Sequence, residues 1–234
     1  GKYDDAFEPR AFGDNFQKWG TSTILIESGG YPDDPEKQFI RKLNFIAILN
    51  ALLQIADQSY KKYQLEEYYA IPDNDQKLMD LLIKNVNLKK SDFEYQADIG
   101  IKRRESDAHN DYFVSGMIDD LGDLSVFYGY EELDATGLEI KEGKVFEKAF
   151  ENLSAISEDV AFNLLQQGYL AIKVKNAEEK KLHQLPIIIL NQSSAIPMGI
   201  YPGGSPNFFL ADANQLKFAV VNGYLIDLNN SKKK

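Results

Sequence analysis

The sequence predicts an α+β fold in two parts. A short strand and a long helix occupy residues 1–72, and a mostly antiparallel β-sandwich with one helix occupies residues 75–231. Three observations predict this. Residues 21–26 form a continuous β-branched and apolar run. Residues 39–55 place apolar side chains at helical spacing. After Pro72 the chain breaks into short apolar runs separated by Gly, Asn and Asp.

Taken in order, Thr21-Ser22-Thr23-Ile24-Leu25-Ile26 ends at Glu27 and is stopped by Ser28-Gly29-Gly30. A short run of this kind reads as a buried strand. Asp34 is a plausible N-cap, with Pro35 in the first helical turn. From there Phe39, Ile40, Leu43, Ile46, Ala47, Leu53 and Ile55 mark one helix of about six turns. A second amphipathic stretch covers residues 60–71 and stops at Pro72. Beyond it, residues 81–86, 97–102, 124–128, 169–174, 185–190, 208–210 and 216–226 favour strands by composition. Asn222-Gly223 between alternating apolar residues is a two-residue hairpin signal. One helix interrupts, with Ser157 as N-cap, Gln167 near its end and Gly168 as the residue that stops it.

Composition narrows the function classes. The 234 residues carry a formal net charge of −10, and 44% of them are hydrophobic. Clustered cations, which a phosphate backbone requires, occur only at Lys232, Lys233 and Lys234, so nucleic acid is not an expected partner. There is no cysteine, which excludes disulfides and thiolate chemistry. No apolar run approaches the ~20 residues needed to span a bilayer, so no membrane span is expected. The first residues, Gly1-Lys2, suggest a truncated or processed chain. The glycine-rich stretch at residues 199–204 lacks the lysine and hydroxyl of a phosphate-binding loop. Asp119, Asp120, Asp123, Glu131 and Glu132 lack the spacing of a calcium loop and read as solvated surface. Trp19 reads as packing under the loop before the first strand.

Glu27 carries the most chemistry. A carboxylate at the end of a buried strand, with a glycine turn behind it, occupies the usual site position of an open α/β sheet. Burial there would raise its pKa toward that of a general base. The structural alternative is a carboxylate that caps a helix or pairs with Arg10 or Arg41. The stretch Tyr3-Asp4-Asp5-Ala6-Phe7-Glu8-Pro9-Arg10-Ala11-Phe12-Gly13-Asp14-Asn15-Phe16-Gln17, followed by Thr21 to Gly29, resembles the final part of zinc-dependent carboxypeptidases of the carboxypeptidase A family. The resemblance implies that residues 1–72 are the C-terminal segment of a carboxypeptidase-like α/β domain. It implies that Glu27 is the general base or acid, that Tyr3 is a substrate-contacting tyrosine, and that Arg10 and Asp14 are substrate-binding. The helix after Pro35 then matches the family's last helix. The departure from the family is large. Its HxxE pair and second histidine lie upstream of the glutamate, whereas the two histidines here, His109 and His183, lie downstream and lack a Glu three residues on. A catalytic zinc needs about three protein ligands, so no metal is expected in this chain.

A second resemblance covers residues 80–228. Asp80-Leu81-Leu82-Ile83-Lys84-Asn85-Val86, Ala97-Asp98-Ile99-Gly100-Ile101-Lys102 and Leu133-Asp134-Ala135-Thr136-Gly137-Leu138 look like strands of the small β-sandwich that flanks the barrel in amidohydrolases. Pro206-Asn207-Phe208-Phe209-Leu210-Ala211-Asp212 and Val220-Val221-Asn222-Gly223-Tyr224-Leu225-Ile226 look like its closing hairpin. Where the barrel's HxH motif would follow, the chain reads Glu139-Ile140-Lys141-Glu142-Gly143-Lys144. The resemblance implies an accessory domain without its barrel. Together these readings lead to the C-terminal part of a zinc metallocarboxypeptidase, inactive by itself, whose full-length parent hydrolyses peptides or amides with zinc. The expected partners are a peptide substrate in the parent and either the missing N-terminal catalytic portion or a second copy of the chain. An exported or periplasmic bacterial location fits this reading. The alternative is a non-catalytic binding or interaction module.

Overall fold

The computed structural model describes residues 2, 6–29, 31, 34, 37–90, 92–108, 111–176, 185–191 and 193–230. The fold is α+β, with four α-helices and eleven strands among the described residues. The chain divides into two units, Gly1–Gln76 and Lys77–Lys234.

The first unit is helical. Helix α1 spans Phe12–Lys18, α2 spans Gln38–Asp57, a 3-10 turn covers Ser59–Lys62 and α3 spans Leu65–Tyr69. The predicted cap at Asp34 holds in function but not in position. Its carboxylate accepts the backbone N–H groups of Gln38 (2.7 Å), Phe39 (2.9 Å) and Ile40 (3.2 Å), which satisfies donors that a helix start leaves orphaned. The helix nevertheless begins at Gln38, after Lys37 in a left-handed conformation at φ 52°. Pro35 lies outside the described residues. The amphipathic stretch at residues 60–71 does not form one helix, because it divides between the 3-10 turn and the five residues of α3. The unit's two ends meet at Lys2. Its backbone donates to Pro72 (2.7 Å) and accepts from Asn74 (2.8 Å), and its ammonium pairs with Asp73 at 3.2 Å.

The strand expected at residues 21–26 is absent. The segment is irregular and exposed along its length, and among the described residues no other strand of this unit lies beside it. A β-branched run becomes a strand only when a neighbour takes up its N–H and C=O groups.

The second unit holds all the sheet structure. Strands β1 (Leu78–Lys90), β2 (Phe93–Ala108), β3 (Asp111–Gly122), β4 (Tyr128–Asp134), β5 (Glu139–Lys141), β6 (Lys144–Asn152), β7 (Tyr169–Asn176), β8 (Ile188–Leu190), β9 (Phe208–Asp212), β10 (Gln215–Val221) and β11 (Tyr224–Asp227) follow in order. Eight of them form one sheet in the order β11-β10-β9-β5-β1-β2-β3, with β4 also on β1. Pairing is antiparallel except that β4 and β5 run parallel to β1, sharing its second edge in succession. The remaining three form a small parallel sheet, β6-β7-β8. Helix α4 (Glu158–Gln166) crosses over from β6 to β7.

Residue period explains how the layers stack. On β9, Phe208 and Leu210 enter a core with Leu81, Ile83, Ile99, Ile101, Ile118 and Val220. Phe209, one residue out of phase, faces the other way and packs with Leu165, Leu170, Ile172, Ala219 and Ile226. A strand buried on both faces needs a continuous apolar run, and Phe208-Phe209-Leu210-Ala211 supplies it. Helix α4 puts Ala161, Leu164 and Leu165 onto that second core, and the cap is as predicted: the Ser157 hydroxyl accepts the Val160 N–H at 3.2 Å. Gly168 follows at φ 84°. The unit is thus sandwich-like, with its one helix across a face.

Residues 124–127 do not form the strand that their composition suggested, and β4 begins only at Tyr128. Leu124 and Phe127 close a tight turn (Phe127 N–H to Leu124 O, 2.9 Å), and Leu124 plugs a pocket against Met79 and Leu82. The run is apolar because it fills a hole. Strands β3 and β6 carry no strict alternation and were not anticipated.

The Asn222-Gly223 turn is present, with φ of 50° and 82°, the left-handed pair that a two-residue turn of this hand demands. It does more than reverse the chain. Asn222 Oδ1 accepts the Gly116 N–H (2.8 Å), its Nδ2 donates to the Val114 carbonyl, and its own N–H donates to Oδ1 of the buried Asn207 (2.7 Å). The approach is so close that a Cβ on Gly116 would lie 2.4 Å from the Asn222 carbonyl oxygen. Ile118 then exchanges bonds with Gly203 (2.8 Å) and Gly204 (2.9 Å). The middle of edge strand β3 is therefore sealed by the hairpin tip and by the glycine-rich loop.

Candidate functional site

Glu27 does not end a strand. It is exposed, and no hydrogen bond or ion pair joins it to Arg10 or Arg41 among the described residues. Its segment is tied to α2 one residue further on, where Asn44 Nδ2 donates to Ser28 Oγ at 2.6 Å. The burial that was expected for it is not present.

Arg10 and Asp14 are brought together, but by Glu8. Arg10 donates to Glu8 through Nε (2.9 Å), Nη2 (3.3 Å) and its backbone N–H (2.9 Å). The Glu8 N–H in turn donates to Asp14 Oδ2 (2.7 Å). The guanidinium holds the Glu8 carboxyl below the usual carboxylate range, and the carboxylate in return raises Arg10. This exposed knot shapes the turn into α1, and both substrate-binding candidates already have intramolecular partners within it. Tyr3, the remaining candidate, lies outside the described residues, as do His109, His183 and Lys232 to Lys234.

The family resemblance implies zinc, and the residues present do not fit it. The chain has two histidines and no cysteine. No group of three His, Asp or Glu side chains among the described residues is placed to hold a metal ion. The acidic residues of the second unit are engaged locally. Asp119 pairs with Lys102 (2.7 Å) and Glu132 with Lys84 (2.8 Å). Asp123 accepts the Ser125 N–H (3.0 Å), and Asp120 accepts the Leu121 N–H (2.8 Å).

Two shallow grooves exist on the second unit. The larger, of roughly 720 Å³, has Phe209, Ala211, Leu216 and Leu228 in its lining with Lys141, Lys144, Gln166 and Gln215 around them. The smaller, of roughly 530 Å³, lies over a bulge in β1. There Asn85 stands at φ 60° where the β1–β2 register slips. Its backbone groups are lost to the ladder and recovered by side chains, N–H to Asp98 Oδ1 (2.8 Å) and C=O from Gln96 Nε2 (3.0 Å). No buried side-chain polar atom among the described residues lacks a partner.

The feature that sequence reasoning undervalued is α2. Ile40 is its one buried residue, while Phe39, Leu43, Phe45, Ile46, Ile48, Leu49, Leu52, Leu53 and Ile55 are exposed. At about 100° per residue these positions fall on every side of the helix. The helix, twenty residues long, is also long and apolar enough, by length and composition alone, to cross a membrane. Arg41 and Lys42 interrupt the run in the second turn, which hid it from a search for uninterrupted apolar residues.

No protein-family model matches the chain, and no curated protein matches it. Solved structures similar to part of it include two enzymes. One is a D-aminoacylase with a binuclear metal centre, at 17% identity and TM-score 0.30. The other is the N-acyl-D-glutamate deacylase of Bordetella bronchiseptica, at 18% identity and TM-score 0.29. Each match covers 42% of this chain and 19% of the other. Neither is a carboxypeptidase. No residue role, metal or substrate carries over from a likeness of this extent.

Proposed function

We propose that residues 1–76 are part of the catalytic domain of a peptide- or amide-hydrolysing enzyme of the carboxypeptidase type, completed by polypeptide outside this chain, and that residues 77–234 are its accessory β domain. The observation that carries the reading is α2. A helix apolar on every face belongs inside a larger protein body or a membrane, and nine large apolar side chains left in water forfeit on the order of 10 kcal/mol. The extended segment at residues 21–27 has the composition of a strand and no strand beside it, so the same body would supply both a sheet to pair with and a face for α2 to cover. In that setting Glu27 would gain the burial it lacks here and could act as the proton-transferring carboxylate. Arg10, Asp14 and Tyr3 would stand on the substrate side. Among the described residues no catalytic step assembles, and in this reading the metal ligands come from elsewhere.

The test compares this chain with a form extended upstream in its own gene. The chain alone is expected to hold no stoichiometric zinc and to leave peptides uncleaved. The extended form is expected to hydrolyse them, with Glu27→Gln lowering kcat by about 10²–10⁴-fold. Full activity in the Glu27→Gln form would remove the assignment. One tightly bound zinc on the short chain would overturn the whole reading.

A non-catalytic interaction module is the second reading, and the lack of any metal-holding group among the described residues favours it. Under that reading the extended form stays inert while α2 still becomes covered by a partner.

A further inference from the structure

We draw no further inference here: the strongest candidate, the apolar surface of α2 with the extended segment at residues 21–27, belongs to the reading already proposed, and nothing in the structure shows which body covers it.

Discussion

At the residue scale, Asn222 holds more of the second unit together than its position in a surface turn suggests. It sits at positive φ, bonds two residues of β3 and donates its backbone N–H to the side-chain oxygen of the buried Asn207, whose own amide nitrogen donates to the Pro197 carbonyl at 2.6 Å. Asn222→Ala loses the conformational tolerance and the side-chain bonds together. The expected cost is about 2–4 kcal/mol, read as a lower urea midpoint. Asn222→Gly keeps the turn and loses only the bonds, so it is expected to cost less. Equal losses in the two variants would show that the turn conformation contributes nothing.

The paired carboxylates make a second prediction at this scale. Lys84 and the Gly129 N–H hold Glu132 below the usual range, Thr136 and Asn85 do the same for Asp134, and the Asn229 backbone does so for Asp227. A depressed folded-state pKa contributes stability that is fully present above the unfolded value, near pH 4, and is lost as pH falls through the folded value. The urea midpoint is therefore expected to be flat from pH 7 to about 5 and to decline below about 4. Glu132→Gln is expected to make that decline shallower. A midpoint that rises on acidification would contradict the assignment.

At the scale of elements, α4 and α2 behave as opposites. Helix α4 has a cap, a stop and one apolar face, and that face is buried. Removing its cap with Ser157→Ala is expected to cost about 1 kcal/mol, seen in thermal or urea unfolding of the second unit. Helix α2 has a cap reached from Asp34 but no single apolar face, so its stability as an isolated element is limited by what surrounds it. Amide exchange is expected to be fast along α2 in the chain alone and to slow by orders of magnitude when a covering partner is present. Strong protection of α2 in the isolated, monomeric chain would mean that it needs no partner.

For the molecule as a whole, the two units are expected to differ in solution behaviour. Residues 77–234 bury two apolar cores and leave no unsatisfied buried side chain among those described, so that piece is expected to be monomeric by light scattering. The full chain carries Phe12, Trp19, Leu25 and most of the surface of α2 in solvent, an apolar area beyond what monomers ordinarily tolerate. Without its covering body, it is expected to self-associate in a concentration-dependent way. A strictly monomeric full chain with α2 ordered would sink self-association and weaken the proposal that a larger domain surrounds it.

What the sequence determined by itself was local. The Asn222-Gly223 turn, the Ser157 cap with its Gly168 stop, the long helix after Asp34 and the dense apolar run of β9 are each specified within a few residues, by backbone sterics or by period. Only tertiary structure decided the rest. Residues 21–26 and 124–127 have strand composition, yet one lacks a neighbour and the other plugs a hole, since a strand exists only where a second segment takes its hydrogen bonds. The parallel β6-β7-β8 sheet, the slip at Asn85 and the sealing of β3 by Gly203, Gly204 and Asn222 all join residues far apart in the chain, which no local pattern records. The candidate site divides the same way. The residue types around Glu27 were legible in order, but whether they meet depends on packing that these residues do not complete among themselves.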